Sequence, residues 1–229
     1  MRCLICKQEI SVEPSWTSLL LLKDSNTCES CEQQFERITG PTCPGCYRPQ
    51  QTSDICPDCE KWEKDPQWKQ TLQKNVSIYK YNDEMKEVLS LYKFRGDAAL
   101  AQVFAKEIRH TYKKHYTTSA IDYTIPIPLS KERLYERGFN QAKLLANFIP
   151  LNQLDILQRA HHEKQSKKSR QQRLSSENVF FLLESSKIVG KNILLIDDIY
   201  TTGTTLRHAA KILIQGGASK VFSLTLIRS

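Results

Sequence analysis

Apolar positions change character along this chain. Through residue 60 they are interrupted by four pairs of cysteines, whereas from residue 76 onward they come in periodic blocks. Residues 76–81 alternate and predict a short strand. Met85, Val88, Leu89 and Tyr92 share one helical face behind Asn82, a good N-cap residue. Leu100, Val103, Phe104 and Ile108 mark a second helix, and Leu144, Leu145 and Phe148 a third. Residues 121–127 predict a strand whose Pro126 and Pro128 force a sharp exit. Short strands are expected at 154–157 and 178–183. Residues 193–196 are four branched apolar residues in a row, the pattern of a strand buried on both faces. Leu206, Ala209, Ala210 and Leu213 then fall at helical spacing, and residues 221–227 supply a last strand. From residue 121 strands and helices alternate. That order predicts an α/β domain with a doubly wound, mainly parallel sheet. No apolar run reaches the length of a membrane span.

Two stretches break the pattern. Residues 61–78 place Trp62, Pro66 and Trp68 among polar side chains with no sustained period, and read as a linker. Residues 159–177 are polar and basic, carrying Arg159, Lys164, Gln165, Lys167, Lys168, Arg170 and Arg173. A long loop of this composition is expected to be disordered or to act as a lid.

All eight cysteines lie in the first 59 residues, as four Cys-x-x-Cys pairs: Cys3/Cys6, Cys28/Cys31, Cys43/Cys46 and Cys56/Cys59. Such pairs turn both sulfurs toward one tetrahedral Zn²⁺. Spacing admits two sequential four-cysteine sites or an interleaved pairing, and the hairpin-sized gaps favour the sequential one. A structural role is expected, with two Zn²⁺ per chain and all ligand positions filled. A disulfide framework is disfavoured because Met1 leads straight into a cysteine pair with no signal peptide, so the cytoplasm is the expected compartment. The expected division is a metal-bearing module over 1–60, a linker over 61–78, and the α/β domain over 79–229.

Charge separates the same parts. Residues 1–60 hold five Lys and Arg against nine Asp and Glu, a net −4; the whole chain is +8, so the remainder carries +12. The basic part suits a polyphosphate ligand, a nucleic acid, or both.

The candidate chemistry follows the buried strand. Asp197 and Asp198 come where that strand should end, then Thr201, Thr202, Gly203, Thr204 and Thr205, then a helix. A small, hydroxylated loop at a helix N-terminus favours an anion, and paired acids beside it can accept hydrogen bonds from sugar hydroxyls. Lys131, Arg133 and Arg137 lie in the loop expected after the 121–127 strand, where three bases could hold a diphosphate.

Residues 193–205 resemble the phosphoribosyl pyrophosphate (PRPP) motif of type I phosphoribosyltransferases. That resemblance puts Asp197 and Asp198 on the ribose hydroxyls and residues 201–205 on the 5′-phosphate, with Mg²⁺ accompanying PRPP. The four cysteine pairs resemble a double zinc ribbon. Together with residues 92–97, Arg133, the Arg137-Gly138-Phe139-Asn140-Gln141 run, and Arg159, Gln165, Arg173 and Asn178, they resemble the ComF family of competence proteins in order and over almost the whole chain. The resemblance implies a type I phosphoribosyltransferase-like fold and a cytoplasmic role in natural transformation. It also implies handling of single-stranded DNA, and contact with a ComFA-type ATPase through the zinc-bearing region. Three functions stay open: a competence factor with a PRPP-binding site, an active phosphoribosyltransferase of unknown acceptor, and a zinc-ribbon adaptor. An amidophosphoribosyltransferase with glutaminase activity is excluded, because Cys3 belongs to a metal pair and no nucleophile is left for the glutaminase.

Overall fold

The computed structural model describes residues 2–10, 26–94, 97–159 and 180–229. The elements are α1 (Glu29–Gln33), α2 (Pro57–Lys64), β1 (Asn75–Lys80), α3 (Asp83–Phe94), α4 (Ala101–Tyr116), β2 (Tyr123–Pro126), α5 (Lys131–Arg137), α6 (Gln141–Ala146), β3 (Asn152–Gln153), β4 (Leu157–Arg159), β5 (Phe180–Leu182), β6 (Asn192–Tyr200), α7 (Thr204–Gln215) and β7 (Lys220–Arg228).

Five strands form one parallel sheet in the order β1-β7-β6-β2-β3. The chain leaves β2 through α5 and α6 toward β3 on one side, and leaves β6 through α7 toward β7 on the other. Strand order therefore reverses between β2 and β6, the position where open α/β sheets leave a crevice at their carboxyl ends. Ile193, Leu194, Leu195 and Ile196 are all fully buried, because both faces of β6 are covered. Leu194 and Ile196 join the core under α3, α4 and α6. Ile193 and Leu195 join a second core with α7, the β4–β5 hairpin and four cysteines, Cys43, Cys46, Cys56 and Cys59. α3 starts as expected, with the Met85 N–H donating to Asn82 Oδ1 at 2.8 Å.

Three local expectations change. Residues 131–137 form the helix α5 rather than a loop: Ser130 caps it by accepting from the Arg133 N–H at 3.4 Å, and Gly138 ends it at φ 76°. The strand expected at 154–157 divides. Asn152–Gln153 pairs with β2, and Leu157–Arg159 pairs antiparallel with β5, since the Leu154 N–H makes its bond to Thr124 O at 2.9 Å and the chain then turns away. Finally, β6 runs through Asp197 and Asp198 to Tyr200, because β7 keeps pairing with it up to Tyr200↔Arg228. Residues 61–78 contain the end of α2 and the start of β1.

Candidate functional site

The acid pair faces a crevice because β2 stops short. β2 pairs with β6 only as far as Pro126↔Ile196, and the Ile127 N–H closes the ladder on Ile196 O at 2.9 Å. Past that point, among the described residues, β6 has a strand neighbour only on the β7 side. Asp197 and Asp198 occupy the other flank at the switch point. Successive strand residues point to opposite faces. Asp198 takes the face of Leu194 and Ile196, where it pairs with Lys93 from the end of α3. Asp197 takes the opposite face, and its Oδ1 accepts from the Asp198 N–H at 2.9 Å. Burial, and then the Asp198 carboxylate beside it, push the Asp197 carboxyl up to about 8. A buried carboxyl beside a second negative charge holds its proton more tightly than a free one.

The loop after β6 is tightly built. Gly203 has φ 82°, and a Cβ there would collide with the Tyr200 hydroxyl and sit 2.6 Å from its Cζ. Only glycine fits. Its carbonyl accepts the first helical bond, from the Arg207 N–H at 2.9 Å. Thr201, Thr202, Thr204 and Thr205 are exposed, with the Thr202 and Thr204 hydroxyls 2.8 Å apart. Exposed hydroxyls, the first-turn N–H groups of α7 and its dipole make this an oxyanion-accepting cradle.

Basic groups gather near the acid pair. Arg137 lies within electrostatic reach of Asp198, Asp197 and Arg133, though burial is what mainly lowers its basicity. Arg159, on β4, is lowered first by burial and then by Arg133, with Asp197 acting in the opposite sense; its guanidinium stacks over Phe180 at 5.6 Å. Lys131 and Arg133 stand exposed on α5. The lid expected over 159–177 lies outside the described residues beyond Arg159, and Gln165, Arg173 and Asn178 lie outside them too. A cavity of about 490 Å³ opens beside this cluster, lined among others by Lys131, Leu134, Phe139, Leu157 and Arg159. The acid pair is not in its lining.

Sequence reasoning left the residues around Arg137 without a physical role. Gln141 is buried; its Oε1 accepts from Arg137 Nη1 at 3.0 Å and its amide donates to Tyr92 O at 3.4 Å. The Tyr92 hydroxyl donates in return to Gln141 O at 3.0 Å. Asn140 donates to Ile127 O at 3.0 Å and caps α6. The run 137–141 is thus a knot that ties α3, β2 and α6 together and aims Arg137. Phe139 packs on Tyr92 at 5.6 Å, while Tyr135 is 91% exposed.

The cysteines assemble sequentially. Cys3, Cys6, Cys28 and Cys31 form one group and Cys43, Cys46, Cys56 and Cys59 the other, with all sulfurs of a group within 4.8 Å. The Cys6 and Cys28 sulfurs are 3.7 Å apart, and those of Cys46 and Cys56 3.6 Å. Four sulfurs about 2.3 Å from a tetrahedral Zn²⁺ would lie about 3.8 Å from one another, so both groups fit such an ion. The Cys46 thiol is held down to about 4, first by its hydrogen bond with Cys59, with Arg228 also favouring the thiolate.

A phosphoribosyl transferase domain model matches residues 135–229. The chain is 46% identical to the competence protein ComFC of Bacillus subtilis, over 99% of this chain and 95% of that one. It is 38% identical to competence protein ComFC of Streptococcus pneumoniae over the full length of both. The chain belongs to the ComFC competence-protein family. A more distant relative is the DNA utilization protein YhgH of Escherichia coli O157:H7, 27% identical over 88% of this chain and 90% of that one. In ComFC terms, then, the chain joins a phosphoribosyltransferase-like sheet to two four-cysteine groups. No helix among the described residues is long and apolar enough to cross a membrane.

Proposed function

We propose that this protein is a cytoplasmic competence factor whose phosphoribosyltransferase-like crevice binds PRPP with Mg²⁺, and which handles incoming single-stranded DNA together with a ComFA-type ATPase. The observation that carries the reading is the convergence at the switch point: an acid pair freed from β2, a glycine-pinned hydroxyl loop, and Lys93, Arg137 and Arg159 around them. Asp197 and Asp198 would accept the ribose hydroxyls, residues 201–205 would take the 5′-phosphate, and Lys131, Arg133 and Arg137 the diphosphate. Arg159, Gln165 and Arg173 would act from the loop that follows β4. Residues 1–60 would be the zinc-bearing unit that meets the ATPase, 61–78 would join it to the transferase-like unit, and 79–229 would carry the crevice. The two four-cysteine groups would each take one structural Zn²⁺. Competence and DNA utilization in the names of the relatives support the DNA role.

Titration of the zinc-loaded chain with PRPP and Mg²⁺ tests the crevice. The Asp197→Asn/Asp198→Asn variant should lose binding, since hydrogen bonds to charged acceptors contribute about 1.5–3 kcal/mol each. Undetectable binding to the unaltered protein would refute the reading. Single-stranded DNA binding should fall steeply with salt, as backbone contacts do. A second reading, transfer of the phosphoribosyl group to an acceptor, is favoured by the cavity beside Arg159, and product analysis after the PRPP titration separates it.

A further inference from the structure

The second four-cysteine group is wired to the hydroxyl loop by two routes. The first runs along α2. Cys56 is its N-cap and Cys59 lies in its first turn. One turn on, Trp62 Nε1 donates to Thr202 O at 3.2 Å, a bond to the loop backbone itself. The Trp62 ring also faces the Arg207 guanidinium at 5.2 Å, and Glu63 pairs with Arg207 at 3.3 Å. Arg207 is 1% exposed and reaches the partly exposed Glu63 from inside the structure. The second route starts at Cys46, whose sulfur accepts from Arg228 Nη2 at 3.8 Å. The same guanidinium stacks over the Tyr200 ring at 4.8 Å and donates to Tyr200 O at 3.3 Å. Tyr200 is the residue whose hydroxyl fills the space beneath Gly203.

The start of the turn, Tyr200, and its interior, Thr202, are therefore both anchored to segments that the four buried sulfurs hold together. The first four-cysteine group has different neighbours: Lys7 pairs with Asp97 at 3.1 Å, and Leu4 and Ile5 pack against the α3–α4 core. An ion shared by four sulfurs that lie within 4.8 Å of one another supplies their counter-charge, and gives α2 and the Cys43–Cys46 turn a common fixed point.

We propose that metal bound by Cys43, Cys46, Cys56 and Cys59 holds the 201–205 loop in its phosphate-binding shape, with Trp62 and Arg228 as positioning residues. Metal occupancy and phosphate affinity are then coupled, and coupling between two binding equilibria is reciprocal. This rests on the reading of the loop as a phosphate site.

The test uses the full-length zinc-loaded chain and ribose 5-phosphate as the probe. Zinc affinity is measured by competition with a chelator, with and without the probe. Saturating probe should tighten one of the two zinc ions and leave the other unchanged. Trp62→Phe keeps an aromatic ring on α2 but removes the N–H together with part of the indole's area. It should retain both zinc ions, weaken ribose 5-phosphate by about three- to tenfold, as expected for loss of one hydrogen bond, and diminish the probe's protection of zinc. If the probe binds the unaltered chain but protects neither ion, or if Trp62→Phe behaves identically, the coupling is overturned while the loop's role stands. If the probe fails to bind the unaltered chain, the phosphate reading falls and the coupling with it.

Discussion

Replacing Gly203 by alanine isolates the geometry on which the loop depends. The position has φ 82°, and left-handed backbone costs a residue with a Cβ about 1–2 kcal/mol. The added carbon would also collide with the Tyr200 hydroxyl and sit 2.6 Å from its Cζ, so either the ring or the loop must move. The ring cannot move freely. Tyr200 is 2% exposed, packs in the core with Leu206 and Leu213, and lies under the Arg228 guanidinium. Overpacking of this type costs about 1–3 kcal/mol. Together the two effects should destabilise Gly203→Ala by about 2–5 kcal/mol, a large share of the about 5–15 kcal/mol of an ordinary domain. Urea unfolding of the zinc-loaded chain measures the loss. Combining Gly203→Ala with Tyr200→Leu, which removes the obstructing ring, should recover the steric part, so the double variant should be less destabilised than the sum by about 1–3 kcal/mol. A Gly203→Ala protein as stable as the unaltered one would show that the loop does not adopt this conformation. Strict additivity would leave the backbone strain as the whole effect.

Other outcomes follow from the same structure. Metal analysis should find two zinc ions per chain, and Cys43→Ser should lose one of them; one ion in the unaltered protein would remove the two-site description. Asp197 has its carboxyl raised to about 8 in the folded chain, above the usual 3.8, so between those values the folded state keeps a proton that the unfolded state has released. Its contribution to stability is fully present below the unfolded value and is lost as pH rises through the folded one. Asp197→Asn should therefore flatten the fall in stability between about pH 4 and 8 and be the more stable protein above it; parallel pH profiles from urea unfolding would contradict this. Gln141→Leu should cost about 1–3 kcal/mol, because the Tyr92 carbonyl and the Arg137 guanidinium lose a buried partner. It should also weaken PRPP binding by releasing Arg137, and unchanged stability and binding would refute the positioning role of the 137–141 knot.

The sequence determined the elements and the chemistry types. Fully apolar 193–196 marks a strand covered on both faces, and the spacing of Leu206, Ala209, Ala210 and Leu213 serves a helix, because each pattern follows from local backbone periodicity. The Cys-x-x-Cys spacing likewise announced metal-binding groups before any fold was known. Tertiary structure decided what depends on distant partners. Asp197 and Asp198 stand in a crevice because β2 ends at Pro126 while β7 continues, a difference between two neighbouring strands that residues 193–205 cannot encode. Lys93 meets Asp198 from a distant part of the chain, and sequence spacing carried no sign of the pairing. The helix α5 depends on Ser130 and Gly138 acting as caps around a short polar segment with no apolar face to reveal it. The anchoring of Trp62 on the Thr202 carbonyl lay hidden in a stretch without periodicity, since a single long-range hydrogen bond leaves no repeating mark in a sequence.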